Sequence, residues 1–160
     1  MVDVTESAVE RPKHKQKRWY SGKKKRHTIK TQIVVCAKSK NVIAIFTDCG
    51  RTHDFKMWKK SIGVRVVKHI KIQADSGYQG IVKQHENSET PKKKSKKKPL
   101  SKEDKAVNRR IGSERVLVEH VNRWIKRLRI IAERYRNRRK RFGLRASLFC
   151  GLYNFELASN

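Results

Sequence analysis

Over residues 113–141 the apolar residues Leu117, Val121, Trp124, Leu128 and Ile131 recur at spacings of four, three, four and three. This is the period of an α-helix with one apolar stripe, and such a stripe needs an apolar surface to lie against. The first half of the chain supplies candidates for that surface. Residues 28–38 (TIKTQIVVCAK) alternate and then turn continuously apolar, and 42–48 (VIAIFTD) follow a short SKN turn, so 28–48 reads as an antiparallel hairpin. Residues 69–75 (HIKIQAD) read as a third strand. Between them, 49–63 (CGRTHDFKMWKKSIG) reads as a short helix with Thr52 or Asp54 near its start and Gly63 after its end. Ser113 is placed to cap the long helix, and 142–157 (FGLRASLFCGLYNFEL) reads as a second, more apolar helix packed on the core. Strands first and helices last give an α/β or α+β chain with a small mixed sheet, in one domain over 1–160.

Charge sets the second constraint. With 42 Lys and Arg against 14 Asp and Glu, the formal net charge is +28 over 160 residues. Repulsion on that scale favours a polyanionic partner. Nucleic acid fits best, because each neutralised phosphate releases condensed counterions. The longest apolar runs, VIAIF and IVVCA, fall far short of the roughly 20 residues of a membrane span. The first residues show no apolar region after a basic start, so the expectation is a cytoplasmic, nucleoid-associated chain. Cys36, Cys49 and Cys150 are widely spaced, with no C-x-x-C, and read as free thiols of a reducing compartment. Residues 83–105 (KQHENSETPKKKSKKKPLSKEDK) are low-complexity and strongly basic, and read as a disordered insertion.

In so basic a chain the carboxylates stand out. The stretch KIQADSGYQG (71–80) ends a strand-like segment on Asp75 and follows it with Ser76, Gly77, Tyr78 and Gly80. Two readings are open. Asp75 caps a turn in which Gly77 and Gly80 supply positive φ, or the small residues keep space in front of the carboxylate for a hard cation and a phosphate. Mg²⁺ takes oxygen ligands and keeps several waters, and two such ions about 4 Å apart serve phosphodiester chemistry. A lone Asp does neither. Asp3, in the alternating MVDVTE, and Glu119, on the long helix, are the candidate partners. At about 100° per residue, Arg115, Asn122, Arg123 and Lys126 cluster around Glu119, away from the apolar stripe. An ion-pair ladder Arg115–Glu119–Arg123 on a solvated face is the alternative role for that acid.

Taken in order, DVTE (3–6), YSGKKKRHTIK (20–30), HDF (53–55), ADSGYQG (74–80), RVLVEHVNRWIK (115–126) and NRRKRFGLR (137–145) resemble the catalytic domain of bacterial insertion-sequence transposases of the DDE class. The resemblance spans essentially the whole chain. It implies an RNase H-like fold, an α/β mixed sheet flanked by helices, with Asp3, Asp75 and Glu119 as the catalytic residues and as the ligands of two Mg²⁺ (or Mn²⁺) ions. The family signature of Tyr, two residues, Arg, three residues, Glu, six residues, Lys is matched at Arg115, Glu119 and Lys126, while Gly112 stands at the Tyr position. Glu114 is the rival for the third carboxylate. Only Met1 and Val2 precede Asp3 and no helix-turn-helix precedes it. The expectation is therefore a truncated first strand and the C-terminal part of a longer transposase, its N-terminal DNA-binding domain absent.

The implied chemistry is hydrolysis of a phosphodiester at the element's end and transfer of the freed 3′-hydroxyl to target DNA. The resemblance puts Arg115 and Lys126 on the flanking phosphates, one as a bidentate fork and the other as a point charge. Lys23, Lys24 and Lys25, with Arg138 and Arg139, are read as further DNA contacts from the runs KKKR (23–26), KKKSKKK (92–98) and RYRNRRKR (134–141), and Arg123 from its place beside Glu119. Such contacts position double-stranded DNA without reading it. Trp19 and Tyr20 read either as base-stacking or as core aromatics. His27, His53 and His120 lack zinc-like spacing and read as structural. A homodimer or higher assembly on DNA is implied by the resemblance. Two other classes stand beside this reading: a non-enzymatic basic DNA-binding remnant, and a metal-dependent nuclease without strand transfer.

Overall fold

The computed structural model describes residues 1–63, 65–94 and 99–159. Its elements in chain order are Val2–Ala8 (β1), Gln16–Trp19 (α1), Tyr20–Ser21 (β2), Arg26–Val35 (β3), Val42–Cys49 (β4), Asp54–Lys60 (α2), Ile72–Gln73 (β5), Ser88–Glu89 (β6), Lys102–Lys126 (α3), Arg129–Ala132 (α4) and Phe142–Ser159 (α5). The chain is mixed α/β.

β3 is the hub of the sheet. Its β-branched residues Thr28, Ile29, Thr31, Ile33, Val34 and Val35 suit a pleated, two-sided environment. It pairs antiparallel with β1, from Val2↔Val34 to Ala8↔Thr28, and with β4, from Ile29↔Cys49 to Val35↔Val42. The expected hairpin is present. β1 pairs with β3 over all seven of its residues, with Asp3 second in the strand. The third strand is shorter than 69–75: only Ile72–Gln73 pair with β6, in parallel, and Ala74 makes a parallel bridge to Val2.

The two faces of β3 sort the core, as a period of two requires. Ile29, Ile33 and Val35 pack with Val118, Val121 and Ile125 of α3 and with Phe142, Ala146 and Cys150 of α5. Val34 packs instead with Val2, Trp58, Ile72, Ala74, Tyr78 and Ile81. The short helix starts at Asp54, one of the two residues expected near its start. His53 is its cap, with Nδ1 accepting from the Phe55 amide at 3.3 Å. Gly63 follows its end for a packing reason, since a Cβ there would stand 2.3 Å from Nε1 of the fully buried Trp58.

The segment 83–105, read as a disordered insertion, carries defined structure at both ends. β6 lies within it, Asn108 of α3 holds the backbone of Lys92 through two hydrogen bonds, and α3 starts at Lys102. Residues 95–98 of the KKKSKKK run lie outside the described residues. Ser101 caps α3 in a capping box with Asp104, so Ser113 is not the cap; its hydroxyl donates to the Arg110 carbonyl inside the helix. A reciprocal cap satisfies two otherwise orphaned donors, which a serine in mid-helix cannot do. Ser101→Ala is accordingly expected to lower stability by about 1 kcal/mol, and Ser113→Ala to change it by less than about 0.5 kcal/mol. Urea denaturation of the two variants checks the contrast.

The helix is also rotated and shorter than the stripe suggested. Its buried face is Ile111, Val118, Val121, Asn122 and Ile125. Leu117 and Trp124 are half-buried, and Leu128 and Ile131 lie past its end at Lys126. The rotation turns Asn122 inward, a polar residue that the periodicity placed with the outer, charged side.

Candidate active site

Val2 and Ala74 are bridged in parallel, so Asp3, the next residue of β1, and Asp75, two residues past β5, stand side by side. α3 crosses β1 and brings Glu119 to the same place. Asp3, Asp75 and Glu119 line one cleft of about 480 Å³, together with Glu6, Asp54, Lys23, Lys24, Lys30, Arg51, Arg115 and Lys126. The rival Glu114 does not line it. Its carboxylate is taken by Arg110, at 3.1 Å, and by the side-chain amide of Gln73.

Asp75 caps its turn, as the first of the two readings has it, and also lines the cleft. Its Oδ1 accepts from the Gly77 amide at 2.6 Å, capping a single 3-10 turn at 76–78, while the residue faces the cleft. Of its two glycines Gly80, at φ 93°, occupies the left-handed region and Gly77 does not. Gly77 is small for another reason: a Cβ there would meet Asp75 Oδ1 at 2.8 Å and Asp54 Oδ2 at 2.9 Å. The glycine lets two carboxylates approach one backbone. Lys30 pairs with Asp54 beside it, its ammonium 2.7 Å from Oδ1.

Asp3 is held by α3 through both oxygens. Arg115 donates to Oδ1 at 3.1 Å and Asn122 to Oδ2 at 2.7 Å. Its carboxyl is nevertheless pushed up to about 6. Burial is the main cause; Arg115 opposes it, and the anions of Asp75 and Glu119 add to it. Lys126 is pushed the other way, its ammonium lowered by burial and by the neighbouring Lys24.

The shift of Asp3 has a consequence for stability. A folded pKa above the unfolded one means that the folded chain binds the proton more tightly, so this contribution is fully present below about 4 and is lost as pH rises through about 6. Across that window the wild type is expected to lose up to about 3 kcal/mol relative to Asp3→Asn. Chemical denaturation of both proteins at pH 4, 5, 6 and 7 measures it, and parallel curves would contradict it.

The proposed DNA-contacting residues divide. Lys23, Lys24, Lys126 and Arg115 line the cleft, Arg115 on Asp3 rather than free. Arg123 lines an adjoining hollow with Asp3, Glu119 and Asn122. Lys25, at φ 52°, lies in the turn that presents Lys23 and Lys24. Arg138 and Arg139 belong to a separate hollow, where the Arg139 guanidinium stacks 5.0 Å from the Trp19 ring. Trp19 also packs on the core, while Tyr20 stands half-exposed, edge-on to His27 at 5.7 Å. Sequence reasoning missed Asp54, Glu6 and Lys30 as members of the site. The HDF, DVTE and YSGKKKRHTIK motifs carried a signal for all three, since they contain Asp54, Glu6 and Lys30.

Among the described residues no three His, Cys, Asp or Glu side chains already form a group able to hold a metal ion. The donor set still suits a hard divalent cation: Asp3, Asp75 and Glu119 offer oxygen ligands to one cleft. Two buried polar atoms there, Arg115 Nε and Asn122 Oδ1, have no hydrogen-bond partner, which fits a site that gains one on binding. A cation on Asp3 Oδ1 has to displace Arg115.

Among proteins of known sequence, the chain is 51% identical over 158 residues to a probable transposase for insertion sequence element IS702 from Microchaete diplosiphon. The match covers 99% of this chain and 57% of that protein, so the chain spans little more than half the length of the relative. No solved structure matches the chain. The profile of the DDE superfamily endonucleases matches residues 2–154, from the strand that carries Asp3 to the helix that closes the core. Covering the carboxylate cleft and nearly everything that supports it, that match makes the chain a member of the DDE superfamily endonuclease family.

Proposed function

We propose that this chain is the catalytic domain of an insertion-sequence transposase that uses Asp3, Asp75 and Glu119 to cleave DNA at element ends and join it to a target. The observation that carries the proposal is the convergence of these three carboxylates, from β1, the end of β5 and α3, in one cleft rimmed by Lys23, Lys24 and Lys126. An RNase H-like arrangement is supported by the strand pattern, in which β4, β3 and β1 are antiparallel and Ala74 continues the sheet in parallel from β1 towards β5 and β6.

Two Mg²⁺ or Mn²⁺ ions held by the three carboxylates would supply Lewis-acid activation of the attacking oxygen and stabilisation of the leaving one. The chain's own residues do the rest. Lys23, Lys24 and Lys126 hold the phosphates of double-stranded DNA at the cleft, as point charges that set register rather than read sequence. Arg115, released from Asp3, has a planar fork suited to a phosphate beside the scissile bond. Hydrolysis leaves a 3′-hydroxyl, which attacks a target phosphodiester and expels its own 3′ oxygen. The basic surface, the lack among the described residues of any helix long and apolar enough to cross a membrane, and the transposase relative favour work on chromosomal DNA in a bacterial cytoplasm, as a homodimer or higher assembly on paired ends.

One observation favours a second reading, a DNA-binding remnant without catalysis: Arg115 and Asn122 already occupy Asp3. Incubating the chain with labelled duplex carrying element ends, a supercoiled target and Mg²⁺ separates the classes. Nicked and joined products are expected. Nicking alone would indicate a nuclease without strand transfer, and binding with neither product would leave the remnant.

A further inference from the structure

The inference concerns Asn122 and rests on the reading of Asp3 as a cation ligand. Arg115, Glu119 and Asn122 follow one another on α3 at four and three residues, on one side of the helix. The first and third bond the two oxygens of Asp3, so the turn bearing Glu119 is pinned to β1 from both sides. The two clamps differ in kind. Arg115 is a cation on the Asp3 carboxylate and competes with a metal ion by charge. Asn122 is neutral and does not compete.

Asn122 is 8% exposed, within the buried face otherwise made of Ile111, Val118, Val121 and Ile125. Its Nδ2 donates to Asp3 Oδ2 at 2.7 Å, and its Oδ1 is buried without a partner. Packing does not explain that choice, because a leucine of similar volume would leave no carbonyl unpaired.

We propose that Asn122 is a positioning residue of the site: its amide fixes the orientation of the Asp3 carboxylate while leaving that carboxylate free to bind a cation, and its unpaired Oδ1 accepts from a donor that arrives with the cation, a coordinated water being the fitting chemistry. Partners of this kind orient metal ligands from outside the coordination sphere.

The test compares wild-type chain, Asn122→Leu and Asp75→Asn in Mn²⁺ titrations followed by electron paramagnetic resonance, with thermal melts alongside. Asn122→Leu is expected to fold with a lowered melting temperature, since Asp3 Oδ2 loses its donor, and to raise the Mn²⁺ Kd about 10-fold or more. A Kd within about threefold of wild type in a folded Asn122→Leu overturns the inference and leaves the proposed function standing. Wild-type protein with no Mn²⁺ site that Asp75→Asn removes sinks both. Should Asn122→Leu not fold, the wild-type chain decides: the Asn122 side-chain amide resonances are expected to move with Mg²⁺ at the same midpoint as the Gly77 amide. Resonances that stay put overturn the proposal.

Discussion

Asp75→Asn is expected to reduce Mg²⁺-dependent cleavage by on the order of 10³-fold, the scale of losing one preorganised group that stabilises transition-state charge. The asparagine is the informative choice. Asp75 Oδ1 accepts from the Gly77 amide, and an asparagine oxygen does the same, so the turn keeps its cap while the cleft loses a charge. The carboxylate also faces Asp3, whose raised pKa records its neighbour's charge. Metal-free DNA binding is therefore expected to hold or tighten, since an anion leaves a site lined by Lys23, Lys24 and Lys126. Cleavage of a labelled duplex and a gel-shift titration of the same preparation read the two effects. Loss of both together would point to a damaged fold, and loss of neither would remove Asp75 from the chemistry.

Phe142→Ala is expected to cost about 3–5 kcal/mol. Phe142 opens α5 with 1% exposure, and its ring meets Tyr135 edge-on at 5.0 Å. It joins the aliphatic residues of β3 to both α3 and α5. A chain of net charge +28 has little stability in reserve against a cavity of that size. Leu144→Ala, two residues on and 72% exposed, is expected to shift stability by less than about 0.5 kcal/mol. Thermal melts of the pair test whether α5 owes its place to its inner face.

The elements were largely legible because they rest on local periodicity. The β3–β4 hairpin, α2 and α5 stand close to where alternation and helical spacing placed them. Their boundaries were not. Ser113 looked like a cap because polar residues precede an apolar stripe, whereas the cap is Ser101, whose Asp104 completes a reciprocal pair. The third strand shrank to Ile72–Gln73 because strand length depends on a partner, and the partner is only Ser88–Glu89.

Within the site, the residue types were legible and their relations were not. Acids are rare in this chain, and the resemblance to DDE transposases singled out Asp3, Asp75 and Glu119 among them, while the basic runs announced a polyanion by charge alone. Those are properties of composition and of neighbours along the chain. That Asp3 and Asp75 emerge side by side follows from one parallel bridge, Val2 to Ala74, between segments far apart in sequence. That Arg115 rests on Asp3 instead of facing solvent, that Asn122 turns inward, and that Gly77 is small to admit Asp54 as well as Asp75 depend on how α3 and α2 pack against the sheet. A pattern along the chain records which face a residue occupies to within a helical turn. The few ångströms that make a carboxylate a ligand, an ion pair or a cap exist only once distant segments share one core.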